Sequence, residues 1–241
     1  MTRLRRVAHA HELLDAPSHD PGELEASLRD VAAVNRWLGG TRALLRHVGP
    51  LLAPDRPTTL LDAGTGSADL PRAIVRWARR HRRAVRITAA DLHPQTLEIA
   101  RRQSADFPEI SFARADVRAL PYADGAFDVT LLSLTLHHLD PDDIVIALRE
   151  IARTARRALL VGELERSCAA YVGARLLAAT VWRRNRLTRH DGPISVLRAF
   201  TPAELLDFAR LAGLREPRVH RHPLFRLVLV AGAGTVGSTA R

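Results

Sequence analysis

The chain has 241 residues, 46% of them hydrophobic, which is enough for one α/β domain with a full core and an appendage and too apolar for a disordered protein. Its formal net charge is +10, and every basic residue is arginine, a balance that fits either nucleic-acid binding or solvated helix faces. One cysteine, Cys168, excludes an internal disulfide; with no signal-like segment or bilayer-length run, the chain reads as soluble and cytoplasmic.

Residues 1–56 read as a helical lead-in. Leu13-Leu14 closes a short segment, Pro17 to Gly22 forms a turn, and Leu24, Leu28, Val31, Val34 and Leu38 recur at helical spacing as a buried stripe. Gly39-Gly40 breaks that helix, and Leu44, Leu45 and Val48 continue another.

The strand Thr59–Ala63 then runs through an acid, Asp62, into Gly64 and Gly66, and a helix starts at Leu70 with Pro71 in its first turn. Strand, tight turn and helix start make the usual cofactor corner of an open α/β sheet. The glycines let backbone approach a ligand closely. A dinucleotide loop wants glycine or alanine at the sixth position, where Asp69 stands here and repels a pyrophosphate; a Lys-Ser/Thr pair for a triphosphate is missing too. The corner therefore suits a nucleoside without phosphates, and a cationic one best. The densest basic run, Arg76 to Arg83, falls at the far end of the helix Leu70–Arg80, badly placed to present a substrate, so nucleic acid is not the expected partner.

Strand Val85–Ala90 ends at Asp91, where such folds place a carboxylate on ribose hydroxyls; its two oxygens can take both protons. The helix Gln95–Gln103 and the strand Ile110–Ala115 lead to Asp116-Val117. Strand Phe127–Leu132 leaves the sheet through Ser133 and reaches His137-His138, with Asp140 to Asp143 capping the next helix. Histidine can take a proton near pH 7, so His137 and His138 are candidate bases. Strand Ala158–Gly162 delivers Glu163 to the same edge. Cys168–Trp182 reads as an apolar inserted helix over the pocket, and Arg183–Phe200 as a polar loop containing His190-Asp191, a third candidate base. Arg198 stands ready for a substrate acid or for Glu163. Thr201 to Glu204 is a capping box that starts the helix Pro202–Leu211. Two short strands, Arg218–Arg221 and Phe225–Val230, follow, and residues 232–241 read as a disordered tail.

Asp62-Ala63-Gly64-Thr65-Gly66-Ser67-Ala68 resembles the first motif of class I S-adenosylmethionine-dependent methyltransferases, D/E-x-G-x-G-x-G, with Ala68 at the usual third glycine. Pro121 to Asp128 resembles the P-F/Y-x-D-x-x-F-D segment of small-molecule methyltransferases, similar to those of ubiquinone and menaquinone biosynthesis. Asn35 to Gly40 is similar to a segment of methyltransferases that accompany type III polyketide synthases. The resemblance implies a doubly wound, Rossmann-like seven-stranded α/β sheet with an antiparallel last strand, residues 57–231, behind a helical lid, 1–56, and with 165–200 inserted over the pocket.

It also implies S-adenosylmethionine as cofactor, with Asp62, Gly64, Gly66, Asp91, Leu92, Asp116, Val117 and Ser133 around it. In the family an acid at the position of Asp116 accepts a hydrogen bond from the adenine amino group, beside an apolar neighbour such as Val117. Asn35, Trp37, Glu163 and Arg198 are expected to touch the substrate, a small hydrophobic or aromatic molecule. The expected reaction is metal-independent O-methylation of a phenolic, enolic or polyketide-derived hydroxyl. C-methylation of a quinone-like ring, carboxyl or RNA methylation, and a non-catalytic binding protein are the alternatives. The missing N/D-P-P-Y/F/W run after the fourth strand, where Ser133-Leu134-Thr135-Leu136 stands, argues against an amino-type base methyltransferase.

Overall fold

The computed structural model describes residues 4–16 and 18–235. Seven strands form one sheet in the order β3-β2-β1-β4-β5-β7-β6. They are β1 (Thr58–Ala63), β2 (Val85–Asp91), β3 (Ile110–Arg114), β4 (Phe127–Ser133), β5 (Ala155–Leu164), β6 (Leu214–His222) and β7 (Arg226–Thr235). The first five pair in parallel, β7 inserts antiparallel between β5 and β6, and the order reverses between β1 and β4. Ligands of open α/β sheets bind outside the carboxyl ends of the strands at such a reversal.

The parallel strands are buried on both faces, so their sequences run as unbroken apolar stretches. Successive side chains still go to opposite layers. Leu60 and Leu131 pack with α2 (Gly40–Val48) and α3 (Asp69–Arg80), through Leu44, Ile74 and Val75. Leu61 and Leu132 pack with α5 (Pro141–Thr154) and α8 (Pro202–Leu211), through Ile144, Leu148 and Leu205. Helix α4 (Pro94–Gln103) completes the set around β2 and β3.

The N-terminal helices follow from local signals. Asp20 caps α1 (Pro21–Trp37) by accepting from the Glu23 amide, and Gly39, in the left-handed region at φ 79°, turns the chain into α2. Leu24 and Leu28 are buried and meet Ile99 of α4. The turn expected at Pro17 to Gly22 lies partly outside the described residues.

Three expectations need correction. First, Arg183–Phe200 is not a loop: α7 (Arg186–Arg198) occupies most of it, capped by the Asn185 side chain on the Thr188 amide. Gly192-Pro193 reads as a turn by itself, but here tertiary packing decides. A Cβ on Gly192 would lie 2.4 Å from a ring carbon of Trp182, so glycine makes room for that indole inside a continuous helix. Second, the inserted helix α6 (Cys168–Ala179) stops three residues short of Trp182, which is buried in the middle of the following turn. Third, the closing strands are longer than expected. Arg215 pairs with Gly232 and Leu214 with Thr235, so residues assigned to a disordered tail belong to β7 as far as Thr235. A hydrogen-bonded partner on β6 holds small residues that carry no strand signal of their own. The rest of that tail lies outside the described residues.

Gly192→Ala is therefore expected to destabilise the fold by about 1–3 kcal/mol through overpacking against Trp182. Thermal melting followed by circular dichroism measures it, and an unchanged Tm would mean that the indole shifts freely.

Candidate active site

Strand β1 delivers Asp62 to the end of the sheet, and the chain then turns twice through the left-handed region, at Gly64 (φ 66°) and Gly66 (φ 54°). A Cβ on Gly64 would lie 2.4 Å from Thr135 Oγ1, so that position needs glycine for close packing. Gly66 is the opposite case. Nothing stands within 4 Å of its missing Cβ, and the backbone there is open to a ligand. Ala68 also sits at positive φ, 57°, which costs a residue with a Cβ of order 1–2 kcal/mol and gives the physical reason for glycine at this place in the resembling motif.

Three carboxylates converge on this turn. Asp62 is fully buried; Thr65 Oγ1 donates to its Oδ2 at 2.6 Å, and its Oδ1 has no hydrogen-bond partner among the described residues. Burial pushes its pKa up to about 7, with Asp69 and Asp91 adding to the effect. Asp91 accepts from the Gly66 amide at 2.9 Å and the His93 amide at 3.0 Å, and burial raises its pKa as well. Asp69 is raised by burial against a hydrogen bond from Asn35 Nδ2 at 3.2 Å. Each Asp91 oxygen keeps a free lone pair after its backbone bond. An apolar site holding three carboxylates, one with an orphaned oxygen, suits a ligand bearing positive charge and hydroxyl donors. The residues present therefore fit S-adenosylmethionine.

The turn opens into a cavity of about 1070 Å³, lined by Asp62, Gly64, Gly66, Asp91, Leu92, Asp116, Val117 and Ser133, all expected beside the cofactor. Leu134, at the same strand end, is held at φ 53° with its amide on the Gly162 carbonyl. Asp116 is partly engaged: Arg118 forms a two-pronged pair with it at 3.0 and 2.7 Å and also reaches Asp143.

A second cluster lies at the ends of β4 and β5. Glu163, buried at the end of β5, accepts from His137 Nδ1 at 2.7 Å and from the Leu136 amide at 2.8 Å. Burial would raise the Glu163 pKa, yet the charge and hydrogen bond of His137 hold it below the usual value. A carboxylate can only accept, so Nδ1 of His137 carries the hydrogen of this bond. His138 Nδ1 lies 2.7 Å from Asp15 and 3.7 Å from Glu12. Burial works against its charge, but the two acids push its pKa up to about 9. Arg198 is buried and donates to the carbonyls of His137 and Ala10, within 3.8 Å of Glu12 and 3.7 Å of Asp15.

Glu12, His137 and His138 offer possible ligand atoms within 4.8 Å of one another. The cation beside that cluster is already supplied by Arg198.

The expected substrate and base residues fall into two groups. Asn35, Arg198, His137 and His138 line the cavity, whereas Trp37, Glu163 and His190 do not. Trp37 is 74% exposed under the guanidinium of Arg36, because Asn35 and Leu38 take the inward directions of the helix end. Glu163 lies behind His137 and pairs with it, so Arg198 meets Glu12 and Asp15 instead. His190 bonds Asp191, whose carboxylate accepts the Leu13 and Leu14 amides and so ties the N-terminal segment down. Glu12 and Asp15 were missed. They sit in an irregular stretch with no periodicity, and only the fold brings them to His138. The signal at Asp69 was present, but it served only to exclude phosphates.

The sheet order, the glycine corner and the three carboxylates define a Rossmann-like α/β domain whose switch point suits a nucleoside. Residues 60–158, less than half of the chain, match the family profile described as a methyltransferase domain, and that match together with the similarities that follow supports a class I S-adenosylmethionine-dependent methyltransferase. It is 34% identical over 110 residues to a malonyl-[acyl-carrier protein] O-methyltransferase of Halorhodospira halophila, covering 46% of this chain and 35% of the relative. It is 33% identical over 114 residues to a 2-phytyl-1,4-naphtoquinone methyltransferase of Thermosynechococcus vestitus, covering 45% and 48%. The chain thus matches less than half the length of these curated relatives. Among solved structures, human N-acetylserotonin methyltransferase in complex with its methyl donor superposes with a TM-score of 0.66 at 19% identity, over 96% of this chain and 63% of that one.

The Asp62 pKa gives a pH test. In the folded chain burial pushes the Asp62 pKa up to about 7, well above the ordinary carboxyl range, so its ionisation costs stability as pH rises through that window. A cationic ligand beside it favours the ionised form. S-adenosylmethionine is expected to bind more tightly as pH rises toward 7, with a proton released on binding. Calorimetry in buffers of different ionisation enthalpy reads both, and Asp62→Asn should flatten the dependence. A wild-type affinity independent of pH would count against the assignment.

Proposed function

We propose that this protein transfers a methyl group from S-adenosylmethionine to a hydroxyl of a small hydrophobic or aromatic acceptor, a phenol, an enol or a polyketide-derived compound. The observation that carries this reading is a large, mostly apolar cavity lined by carboxylates at the glycine corner and by an oriented imidazole beyond the end of β4. The carboxylates suit the donor, the apolar walls suit the acceptor, and the imidazole suits removal of a hydroxyl proton. Similarity to relatives named as an O-methyltransferase and as a naphthoquinone methyltransferase supports methyl transfer. The latter keeps C-methylation of a quinone-like ring as the second reading, since a ring carbon activated as a phenolate would use the same base.

S-adenosylmethionine supplies an electrophilic methyl on a sulfonium when bound. Asp91 would hold the ribose hydroxyls, Asp62 and Asp69 would face the positive charge, and Asp116 with Val117 would take the adenine. Transfer requires nucleophile and methyl within about 3–3.5 Å of each other and water excluded. The lid helix α1 serves both ends, through Asn35 on Asp69 and its apolar stripe along the cavity.

Between the two histidines, His137 suits the base. Glu163 fixes its tautomer, leaves Nε2 free and stabilises the imidazolium formed by proton uptake, the logic of an oriented acid–base pair. His138, with its pKa near 9, is already protonated at neutral pH and suits a donor to developing negative charge on the acceptor oxygen.

Asp91→Ala should weaken S-adenosylmethionine binding by at least tenfold, a loss of at least about 1.4 kcal/mol, by calorimetry. Unchanged affinity would remove the ribose assignment. With phenolic and polyketide acceptors and labelled donor, His137→Gln should lower kcat by about 10²–10⁴-fold with donor affinity retained. Turnover unchanged in His137→Gln and lost in His138→Gln would move the base to His138.

A further inference from the structure

We propose that α6 and the turn behind it form a docking face for an anionic phospholipid surface, which sets the cavity mouth against the bilayer. The inference rests on the proposed function only in taking that mouth as the acceptor's way in.

The charge pattern is one-sided. Between Glu165 and Asp191 the sequence contains no acid and six arginines. Arg166 is buried on Glu204, and Arg186 pairs with Glu23. Arg183 and Arg184 are exposed and have no ion-pair partner among the described residues, and Arg175, also exposed, reaches only the Tyr171 hydroxyl.

Among these cations stand aliphatic side chains that the fold leaves in water. Val172, Leu176 and Val181 are 56%, 62% and 68% exposed. Val172 and Leu176 are four apart on α6 and so share one side of it. In the next turn Trp182 is buried against Gly192, which anchors the turn and leaves its neighbours Val181 and Arg183 outside.

The patch continues into the cavity. Leu176 lines it while largely exposed, as do Leu224 and Phe225 in the β6–β7 connection, so these three mark its apolar mouth.

Exposed aliphatic groups interleaved with unpaired arginines are what an interfacial segment needs. The apolar side chains enter the headgroup boundary while the guanidinium groups meet lipid phosphates. No helix among the described residues is long and apolar enough to cross a membrane, so attachment would be peripheral. An apolar acceptor could then pass from lipid to cavity without entering water. A nucleic acid would use the arginines but gain nothing from the aliphatic side chains between them.

The test is co-sedimentation of the full chain with unilamellar vesicles of phosphatidylcholine alone or with roughly 30 mol% phosphatidylglycerol. Binding is expected only to the anionic vesicles, falling as salt rises from about 0.1 to 0.5 M. Each arginine near the surface contributes about a fivefold factor, so the double change Arg183→Ala, Arg184→Ala should lower partitioning about 25-fold. Val181→Glu should weaken it too. Thermal melting and S-adenosylmethionine affinity should stay at wild-type values in both variants. Equal binding to neutral vesicles, variants that partition like wild type, or retention by a structured RNA with no vesicle binding would each overturn the proposal. Vesicle binding by a protein that failed to bind S-adenosylmethionine would refute the proposed function and leave the docking face standing.

Discussion

Negative charge concentrated in a dry place governs this molecule. Asp62, Asp69 and Asp91 meet at the reversal point of the sheet, where burial raises the pKa of each. Backbone amides and single hydrogen bonds offset part of the cost, and one Asp62 oxygen is left without a partner. Such an arrangement stabilises nothing by itself, and groups of this kind persist where a ligand supplies what the chain withholds. The two glycines and the strained Ala68 are local consequences, because a backbone that curls around a ligand must leave the ordinary regions of φ/ψ space.

The cluster at the ends of β4 and β5 pairs its acids with bases from the same chain. Glu163 meets His137, Asp15 meets His138, and Glu12 lies within 4 Å of His138 and Arg198. Acids from an irregular N-terminal segment thereby hold a histidine at the end of β4 in its charged form. The same segment is fastened from behind, by Asp191 on the Leu13 and Leu14 amides and by Arg198 on the Ala10 carbonyl. Positioning of the histidines and attachment of the N-terminal segment are thus one set of bonds.

The family resemblance is densest where the physics is least forgiving. The matched residues 60–158 run from the first strand to the fifth and include the glycine corner and all three raised carboxylates. Helix α1, α6, α7 and the β6–β7 connection lie outside that stretch, and they contribute much of the remaining cavity lining. Charge in a buried site admits few solutions, whereas an apolar wall can be built in many ways.

By itself, the sequence determined the seven strands in order, every long helix but α7, the glycine corner and the acids at the strand tips. Each of these is written in local signals: apolar runs of strand length, glycines where φ must be positive, capping residues and proline at helix starts. Tertiary structure alone decided what depends on residues distant in the chain. It brought Glu12 and Asp15 more than 120 positions along to His138, turned Trp37 outward, put His190 beyond the cavity, and made a helix of a stretch containing Gly192-Pro193. It also extended β7 through small residues by giving them a hydrogen-bonded partner on β6. Local chemistry sets which backbone shapes are open to a segment; which way a side chain faces, and what it meets there, is fixed only when the remaining elements pack around it.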